Sequence, residues 1–344
     1  FFNAQYGEPL RGLIAQGKHL ADVVHFGDQQ VFANATTYTC LLFLDKDRRD
    51  TFHVAKVDDL AAWREENSAT EGDLQADEID AGEWNLVGGP NTSVYRKLSR
   101  MPIKLGETAN IFVGLQTSAD TVFLFKNSGI SQDAVTKVLS KELGEIVELE
   151  SDLLKPVIRS GDIGRYWANA TAIVLFPYKF IQQRARLISK EEMRTSYPRA
   201  WDYLLRNKKL LENREHGKFK DIGWYQLYPK NLDLWEQVKI MIPYMITNLS
   251  AFYDEEKQYF VNVTTGGFGL TIEEKFGSAK YITGLLNSRL LDWFLKRVST
   301  TFHGGYFAAN KQFLVQLPIR TIDFDDPADV ARHDRMVALV ERML

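Results

Sequence analysis

A change of pattern near residue 105 constrains the fold of this chain more than any other feature of its sequence. From there on, short strand-like runs broken by Gly, Asn and Pro alternate with helical segments, and no internal repeat relates them. Strand-like runs lie at 111–115, 121–125, 172–176 and 259–264, and helical segments lie at about 190–212, 233–247 and 279–297. Strands and helices mixed in this way predict an α+β domain, which we place at residues 95–320.

The first 48 residues follow a different pattern. Residues 1–18 are predicted as a helix, because apolar side chains recur near helical spacing, and strand-like runs follow at 20–26 and 37–44. The second run, Thr-Tyr-Thr-Cys-Leu-Leu-Phe-Leu, is too apolar for a half-exposed strand and favours the middle of a covered sheet. A helix and two strands with no further helix predict the closing end of an α/β sheet whose earlier strands lie outside this chain.

Charge is segregated along the chain, although the formal net charge of −3 argues against a generic nucleic-acid binder. Residues 49–90 carry a net charge of −8, and this weakly patterned stretch predicts an acidic connector at 49–94 with a short helix at about 57–66. Residues 151–230 carry a net charge of +8, which fits a localised surface that faces phosphates. Solvated faces without a ligand give the same pattern, so charge alone does not decide between the two.

The end of the chain predicts an amphipathic helix over residues 321–344. Its apolar side is formed by positions at alternating steps of three and four residues: Val330, His333, Val337, Val340 and Leu344. Such a helix leaves open a second class of function, a protein-interaction module that docks to another subunit.

The sequence indicates neither a disulfide framework nor a targeting segment. Cys40 is the single cysteine, which fits a reducing compartment, and no window of about 18 apolar residues suits a membrane span. The chain begins at Phe1 and enters a patterned segment directly, without the basic and apolar regions of a signal peptide. We therefore expect a cytoplasmic protein, and a chain that is part of a longer one.

Catalytic and metal-binding motifs are few. The sequence has no Gly-x-Gly-x-x-Gly after a strand, no phosphate-binding loop and no Gly-x-Ser-x-Gly elbow, and its six histidines never pair at metal-ligand spacing. We therefore assign no catalytic, cofactor-binding or metal-binding residue. Asp254 with the following Glu255-Glu256-Lys257 leaves open a Mg²⁺-dependent nuclease, which would need an acidic side chain beside a Glu-x-Lys triplet to hold the metal.

The stretch at residues 206–225 has the mixed composition of a DNA-binding surface. Cations alternate there with aromatic and small polar residues, and DNA binding needs cations for phosphates and planar or amide groups for base edges. The candidate DNA-binding residues are Lys208, Lys209, Arg214, Lys218, Lys220, Trp224 and Tyr225. The alternative is an exposed helix followed by a polar loop in which Trp224 and Tyr225 are buried.

Two loops punctuated by glycine hold further candidates. Phe302-His-Gly-Gly-Tyr-Phe carries Gly304, Gly305 and Tyr306, where paired glycines permit a sharp turn or the close approach of a ligand. Leu154-Lys-Pro-Val-Ile-Arg-Ser-Gly-Asp-Ile-Gly-Arg-Tyr carries Arg159 and Arg165. From the residues alone, ordinary surface turns explain both loops equally well.

Four segments of the sequence follow one another in a characteristic order. They are Ile111-Phe-Val-Gly-Leu-Gln-Thr-Ser-Ala-Asp-Thr-Val-Phe, then the loop with Arg159 and Arg165, then Tyr197-Pro to Lys209-Leu-Leu-Glu-Asn-Arg with Trp224 downstream, then Leu285-Leu-Asn-Ser-Arg-Leu to Gly304-Gly-Tyr and Leu317-Pro-Ile. Together they resemble the TaqI-like specificity domain at the C-terminal end of type II restriction–modification adenine methylases. The resemblance covers roughly residues 100–320 and implies that the predicted α+β domain at 95–320 is a target-recognition domain for double-stranded DNA.

Residues 1–48 resemble the end of the catalytic domain of the same methylases. In that family a segment ending in Val-Phe supplies an aromatic face for the flipped adenine, and Val31-Phe32 matches that position. The sequence contains no Asn-Pro-Pro-Tyr motif and no glycine-rich S-adenosylmethionine loop. The resemblance therefore implies a specificity fragment of a site-specific N6-adenine DNA methyltransferase that does not methylate alone. Its partners are DNA and the remainder of the methyltransferase chain, which binds S-adenosylmethionine.

Overall fold

Helices and strands are mixed along the whole chain, which confirms the predicted α+β class. The computed structural model describes residues 1–35, 37–89, 91–220, 223–262 and 266–344. The chain divides into two units: unit 1 comprises Phe1–Pro102 and Trp293–Ala308, and unit 2 comprises Ile103–Asp292 and Ala309–Leu344. Within the described ranges, no helix is both long enough and apolar enough to cross a bilayer.

Unit 1 is built on a four-stranded sheet. Its elements up to residue 102 are α1 (Glu8–Gly17), β1 (Leu20–His25), β2 (Cys40–Leu44), β3 (Thr51–Lys56), α2 (Leu60–Glu66), β4 (Thr70–Gln75) and α3 (Thr92–Ser99). The strand order is β2-β1-β3-β4, with β1 parallel to β3 and both outer pairs antiparallel. The core side chains are Ile14, Leu20, Val23, Phe52, Val54, Leu74 and Trp84.

The acidic stretch at 49–94 belongs to this sheet and is not a connector. Phe52 and Val54 on β3 and Leu74 on β4 are buried, while most of their neighbours along the strands face solvent. The helix predicted near 57–66 is α2, and the Asp59 carboxylate caps it by accepting hydrogen bonds from two backbone N–H groups. The many acidic side chains obscured the period of two that marks a half-buried strand.

Strand β2 lies at the edge of the described sheet, whereas its apolar sequence predicted a place in the middle. Leu41, Phe43 and Leu44 are 44%, 50% and 54% exposed. The prediction was wrong for this chain because a run of apolar residues indicates two covered faces, and the described part of unit 1 covers one.

Unit 2 holds most of the short strands. Its elements to residue 187 are α4 (Leu105–Thr108), β5 (Ala109–Val113), α5 (Asp120–Phe123), β6 (Leu124–Lys126), β7 (Val135–Ser140), β8 (Glu145–Glu150), β9 (Leu154–Ile158), β10 (Ile163–Gly164), β11 (Trp167–Ala168), β12 (Ala172–Leu175), β13 (Tyr178–Ile181) and β14 (Arg184–Leu187). It continues with α6 (Lys190–Ser196), α7 (Pro198–Arg206), α8 (Lys208–Asn213), β15 (Lys239–Pro243), β16 (Met245–Ile246), β17 (Phe252–Asp254), β18 (Tyr259–Phe260), β19 (Gly267–Ile272) and α9 (Ala279–Leu286).

The last part of the chain contributes elements to both units. Helix α10 (Arg289–Val298) leads into the second segment of unit 1, which carries the hairpin of β20 (Thr301–Phe302) and β21 (Tyr306–Ala308). The chain then returns to unit 2 with α11 (Lys311–Leu314) and α12 (Pro327–Glu341).

The described residues of unit 2 form two four-stranded sheets and three hairpins. The sheets have the strand orders β18-β9-β12-β6 and β17-β15-β19-β5, and the hairpins are β7–β8, β10–β11 and β13–β14. The largest group of buried apolar side chains in the unit includes Phe123, Phe125, Ile173, Phe176 and Trp235.

Some elements of unit 2 differ from the predictions. The segment at 233–247, predicted as a helix, contains strands β15 and β16, because a short apolar run has no period that separates a helix from a buried strand. The strand predicted at 121–125 begins instead with the helical turn α5 and continues as β6. Of the strand predicted at 259–264, β18 covers the first two residues, and residues 263–264 lie outside the described residues.

The predicted terminal helix is present as α12, and its apolar side is used within unit 2. His333 and Val340 are buried, and the imidazole Nε2 of His333 lies 3.1 Å from the Ser278 hydroxyl oxygen at the start of α9. The ammonium of Lys280 on α9 pairs with the Glu341 carboxylate at 2.9 Å. The helix therefore packs against its own unit, which removes much of the reason to regard it as a docking element for another subunit.

Candidate nucleic-acid interface

The basic segment at 206–225 begins with Arg206 at the end of α7 and continues with α8, which is followed by a 3-10 turn at Arg214–Gly217. Lys208, Lys209, Lys218 and Lys220 all lie on the surface of unit 2. The Lys208 ammonium lies 3.6 Å from the Glu212 carboxylate. These four positions fit the predicted phosphate-facing surface, and their contact with DNA stays a prediction.

Lys218 is exposed, but its ammonium group already has local partners. Its Nζ donates a hydrogen bond to the Tyr228 hydroxyl at 2.7 Å and lies 4.4 Å from the centre of the Tyr228 ring. A cation held over an aromatic ring gains about 0.5–1 kcal/mol at an exposed site. Phosphate would therefore compete with Tyr228 for Lys218.

Arg214, Trp224 and Tyr225 lie in the interior of unit 2, where they are 5%, 3% and 2% exposed. The guanidinium of Arg214 donates hydrogen bonds to the backbone carbonyls of Leu211 and Thr117, and also to those of Trp224 and Gln226. As they stand in the structure, these three side chains cannot reach DNA, which corrects their prediction as direct contacts.

Burial lowers the pKa of Arg214 to about 10, because a guanidinium removed from water loses hydration that favours its charged form. The group stays cationic at neutral pH, and four carbonyl acceptors replace the lost water. Arg214 thus joins chain segments that are far apart in sequence.

The loop with Arg159 and Arg165 is organised by a buried carboxylate. Asp162 accepts hydrogen bonds from the Arg159 N–H at 2.8 Å, from the Thr171 N–H at 3.2 Å and from the Thr171 hydroxyl at 2.8 Å. Arg165 is half-buried, and its Nε donates to the Leu249 carbonyl at 3.2 Å. Part of each arginine is therefore used inside the unit, and DNA contact by Arg159 or Arg165 stays a prediction.

Gly304 and Gly305 form the turn of the β20–β21 hairpin in unit 1. Their φ angles are +85° and +76°, which residues with a Cβ rarely adopt, so a sharp turn explains both glycines. The turn is held by the His303 N–H, which donates to the Tyr38 hydroxyl at 3.3 Å. Tyr306 follows at 44% exposure, available to a ligand. Contact of these three residues with DNA is an untested prediction.

Phe32 lies on the long loop between β1 and β2 in unit 1, with 58% of its surface exposed. A large aromatic side chain usually packs inward, so this exposure argues against a core role. The side chain can meet a ligand as it stands. Its role as an aromatic face for a flipped adenine stays a prediction.

Unit 1 also contains a cavity of about 630 Å³ beside the C-terminal ends of β1 and β3. Its wall includes the rings of Phe2 and His25, which stack at 5.4 Å, together with Trp84. Lys56 and Arg297 supply positive charge to the wall. Asp28 and Asp58 line the same cavity, and the Asp58 carboxylate pairs with the Lys56 ammonium at 3.0 Å, so the positive charge of the wall is largely balanced. Phe32 is not among the lining residues.

Asp254 does not provide the site that a nuclease would need. Its Oδ2 lies 2.6 Å from the ammonium of Lys239, and both side chains are fully buried. Desolvation lowers the pKa of Lys239 and raises the pKa of Asp254. The opposite charge of each partner acts against these shifts, because it stabilises the charged form of the other group. Within the described ranges, no three His, Cys, Asp or Glu side chains are grouped so that they could hold a metal ion.

The β13–β14 hairpin was missed by the sequence predictions, although it presents the most consistently cationic face described here. Lys179, Ile181, Arg184 and Arg186 are exposed on it, and two glutamines form its turn. The signal was present as the alternation in Lys-Phe-Ile-Gln-Gln-Arg-Ala-Arg-Leu. We call residues 178–187 the cationic hairpin.

Comparison with known proteins finds a family model that is similar to part of the chain. A model of the TaqI-like C-terminal specificity domain matches residues 173–319. The Escherichia coli type II restriction enzyme and methyltransferase RM.Eco57I is 27% identical over 355 residues, which cover 97% of this chain and 35% of that protein. The type II methyltransferase M.BanIII of Aneurinibacillus aneurinilyticus is 26% identical over 179 residues, which cover 51% of this chain and 27% of that protein.

Among solved structures, the type IIL restriction–modification enzyme MmeI in complex with DNA is similar in fold. The TM-score is 0.57 at 10% sequence identity, over 97% of this chain and 39% of that one. This chain thus spans little more than a third of the length of RM.Eco57I and of MmeI. The predicted resemblance to the specificity domain of type II restriction–modification methyltransferases is confirmed.

Proposed function

We propose that this chain recognises double-stranded DNA as the specificity part of a site-specific N6-adenine DNA methyltransferase of a restriction–modification system. One observation carries the proposal: residues 173–319 match the TaqI-like specificity domain, and they overlap the stretch with a net charge of +8. Relatives named as a restriction enzyme and methyltransferase, and as a methyltransferase, support the same function.

Phosphate contacts supply most of the affinity in this proposal. Lys209 and Lys220 are exposed on unit 2 and are available to phosphates. Lys208 must leave Glu212, and Lys218 must leave Tyr228. Each phosphate contact releases counterions, so binding weakens as salt rises, with a log–log slope of about 0.9 per contact.

Salt-dependent binding tests the proposal directly. The purified chain is titrated against a fluorescently labelled duplex, and anisotropy is recorded over a series of salt concentrations. We expect binding at low salt and a slope that corresponds to several phosphate contacts. Absence of duplex binding at low salt would overturn the proposed function.

The cofactor S-adenosylmethionine, which supplies the methyl group in such enzymes, does not fit the residues of this chain. Ligands of α/β sheets bind beyond the carboxyl ends of the strands, often at glycine-rich turns. The turns after the parallel strands β1 and β3 contain one glycine, Gly27, and the sequence has no glycine-rich cofactor loop and no Asn-Pro-Pro-Tyr motif. We assign cofactor binding and methyl transfer to the rest of the methyltransferase.

Calorimetric titration of the purified chain with S-adenosylmethionine is therefore expected to give no saturable heat. The isolated chain should also transfer no methyl group to DNA. Specific micromolar binding of the cofactor would mean that part of the catalytic domain with a cofactor site lies within this chain, and would contradict the assignment.

Phe32 is the residue we assign to the flipped adenine. Its exposed ring offers a replacement for the stacking neighbours that an extruded base loses. Stacking of this kind contributes about 1–3 kcal/mol, so Phe32→Ala in the complete enzyme should slow methylation about ten-fold and leave duplex affinity nearly unchanged.

The matched control is Phe32→Tyr, which keeps the ring and should retain most of the activity. A fluorescent base analogue at the target position reports extrusion in both variants. If Phe32→Ala changes neither the methylation rate nor the fluorescence, the ring does not hold the flipped base.

A further inference from the structure

The cationic hairpin has two chemically different faces. Strand pairing sets Lys179 opposite Arg186 and Ile181 opposite Arg184, and residues directly opposite in an antiparallel pair share a face. These four side chains are all exposed. The other face packs against the core of unit 2 through Tyr178, Phe180, Ala185 and Leu187.

The exposed face carries positive charge that its surroundings do not neutralise. Residues 178–187 contain three cations and no acidic residue. Lys179 pairs with Glu192 at 2.7 Å, but among the described residues neither Arg184 nor Arg186 forms an ion pair. Both guanidinium groups are therefore free to bind an anionic partner.

The β7–β8 hairpin of the same unit shows the opposite arrangement. Its Glu145 and Glu148 carboxylates pair with Arg206 and Arg199 of helix α7. There, charged side chains hold the hairpin to its neighbour. Among the described residues, Arg184 and Arg186 of the cationic hairpin do not attach it to a neighbouring element by an ion pair. This difference indicates that they bind a partner outside the chain.

The turn of the cationic hairpin is built from residues that the backbone does not favour. Gln182 and Gln183 have φ angles of +49° and +59°, where Asn and Gly are the usual residues of a two-residue turn. A left-handed residue with a Cβ costs roughly 1–2 kcal/mol. Long amide side chains at such positions therefore indicate a role for the amides, and a glutamine amide can form two hydrogen bonds with adenine in the major groove.

The dimensions of the hairpin also match a DNA groove. Two strands of four residues span about 14 Å and lie about 4.8 Å apart. The major groove of DNA is about 12 Å wide and accepts a two-stranded ribbon. Ile181, exposed opposite Arg184, can contact a thymine methyl group.

We propose that the cationic hairpin enters the major groove of the target duplex. Arg184 and Arg186 contact phosphates or guanine edges, and Gln182 and Gln183 read base edges at the tip. The assignment rests on the proposed function, because it supplies the residues by which the specificity domain recognises its DNA.

The first test removes the two arginines. Arg184→Ala with Arg186→Ala in the full chain should weaken duplex binding at least ten-fold and reduce the log–log salt slope by up to about two. The matched control, Lys137→Ala with Lys141→Ala, removes the same charge from the exposed side of the β7–β8 hairpin and should change affinity less than two-fold. Equal losses in both pairs, or no loss in the arginine pair, would overturn the proposal.

The second test changes the tip without disturbing the turn. Gln182→Asn with Gln183→Gly gives the residues that a two-residue turn prefers, so the hairpin should fold at least as well. Duplexes selected from a random library by the variant should lose base preference at one or two positions that the unchanged chain selects. An identical selected sequence would exclude base reading by the tip.

The outcomes separate this proposal from the function on which it rests. If the unchanged chain binds no duplex, the proposed function fails. If it binds and the arginine variant binds equally well, only the assignment of the cationic hairpin fails. Thermal unfolding of each variant checks that the fold is retained, because exposed substitutions of this kind should change stability by less than about 0.5 kcal/mol.

Discussion

The basic segment at 206–225 and the cationic hairpin at 178–187 both concentrate positive charge in unit 2, and they use it in opposite ways. In the basic segment, Arg214 points inward and Lys218 lies against Tyr228. In the cationic hairpin, Arg184 and Arg186 point into solvent. The basic segment has more cations, but a larger fraction of the cations in the hairpin is free to bind a ligand. Whether a cationic side chain can bind a ligand depends on its orientation, and a count of charges in the sequence does not give that orientation.

The backbone around each region explains the difference. An arginine can be buried only where several carbonyls accept its hydrogen bonds, and the turns around Arg214 supply four. Strands β13 and β14 satisfy their own carbonyls in part by pairing with each other, and alternation then fixes Arg184 and Arg186 on the outer face.

The largest expected effect is the loss of stability on replacing Arg214. Arg214→Met keeps much of the volume but leaves the carbonyls of Thr117, Trp224 and Gln226 without their donor, so the free energy of unfolding should fall by about 3 kcal/mol or more. Urea unfolding of the whole chain measures it. The matched exposed substitution, Arg184→Met, should change stability by less than about 0.5 kcal/mol. Similar losses of unfolding free energy for the two variants would contradict the distinction between a buried, structural arginine and an exposed one.

A smaller effect is expected from the lysines of the basic segment. Lys218→Ala with Lys220→Ala should weaken duplex binding for all sequences and reduce the log–log salt slope by about one. The double substitution should remove about one phosphate contact rather than two, because the Lys218 ammonium already donates a hydrogen bond to Tyr228. Anisotropy over a salt series gives the slope. Unchanged affinity at low salt would make this segment an ordinary solvated surface.

Tyr228→Phe sharpens the same comparison with the smallest change. It removes the hydroxyl that accepts the Lys218 hydrogen bond but keeps the ring, so the ammonium becomes easier to move to a phosphate. Duplex affinity should stay the same or rise slightly, by less than about three-fold, since an exposed hydrogen bond contributes about 0.5 kcal/mol, the lower end of the usual range. A marked fall in affinity would mean that Tyr228 itself contacts DNA.

The sequence predicted much of this architecture where local pattern decides structure. Helix α1, strand β1 and helix α12 were predicted from apolar spacing. The apolar run that forms β15 was misread as helical, since its residues are buried on every side and show no period. The cationic hairpin was not predicted, because its turn has the sequence Gln-Gln, whereas two-residue turns of hairpins are usually marked by Asn-Gly.

The candidate site was harder to predict, because its geometry depends on distant contacts. In the interior, Arg214 donates a hydrogen bond to the backbone carbonyl of Thr117, which lies 97 positions earlier in the chain. Local composition carries no trace of such a contact, so Arg214, Trp224 and Tyr225 were predicted on the surface. The exposure of Phe32, in contrast, agrees with a position chosen from the family resemblance.

Selection of random duplexes by the purified chain, followed by sequencing, tests the central claim most directly. The account predicts that one sequence is strongly enriched, and that the arginine pair variant of the cationic hairpin loses most of the enrichment. Duplexes retained without any preferred sequence would contradict it, since the chain would then bind DNA only as a polyanion and would not be a specificity domain.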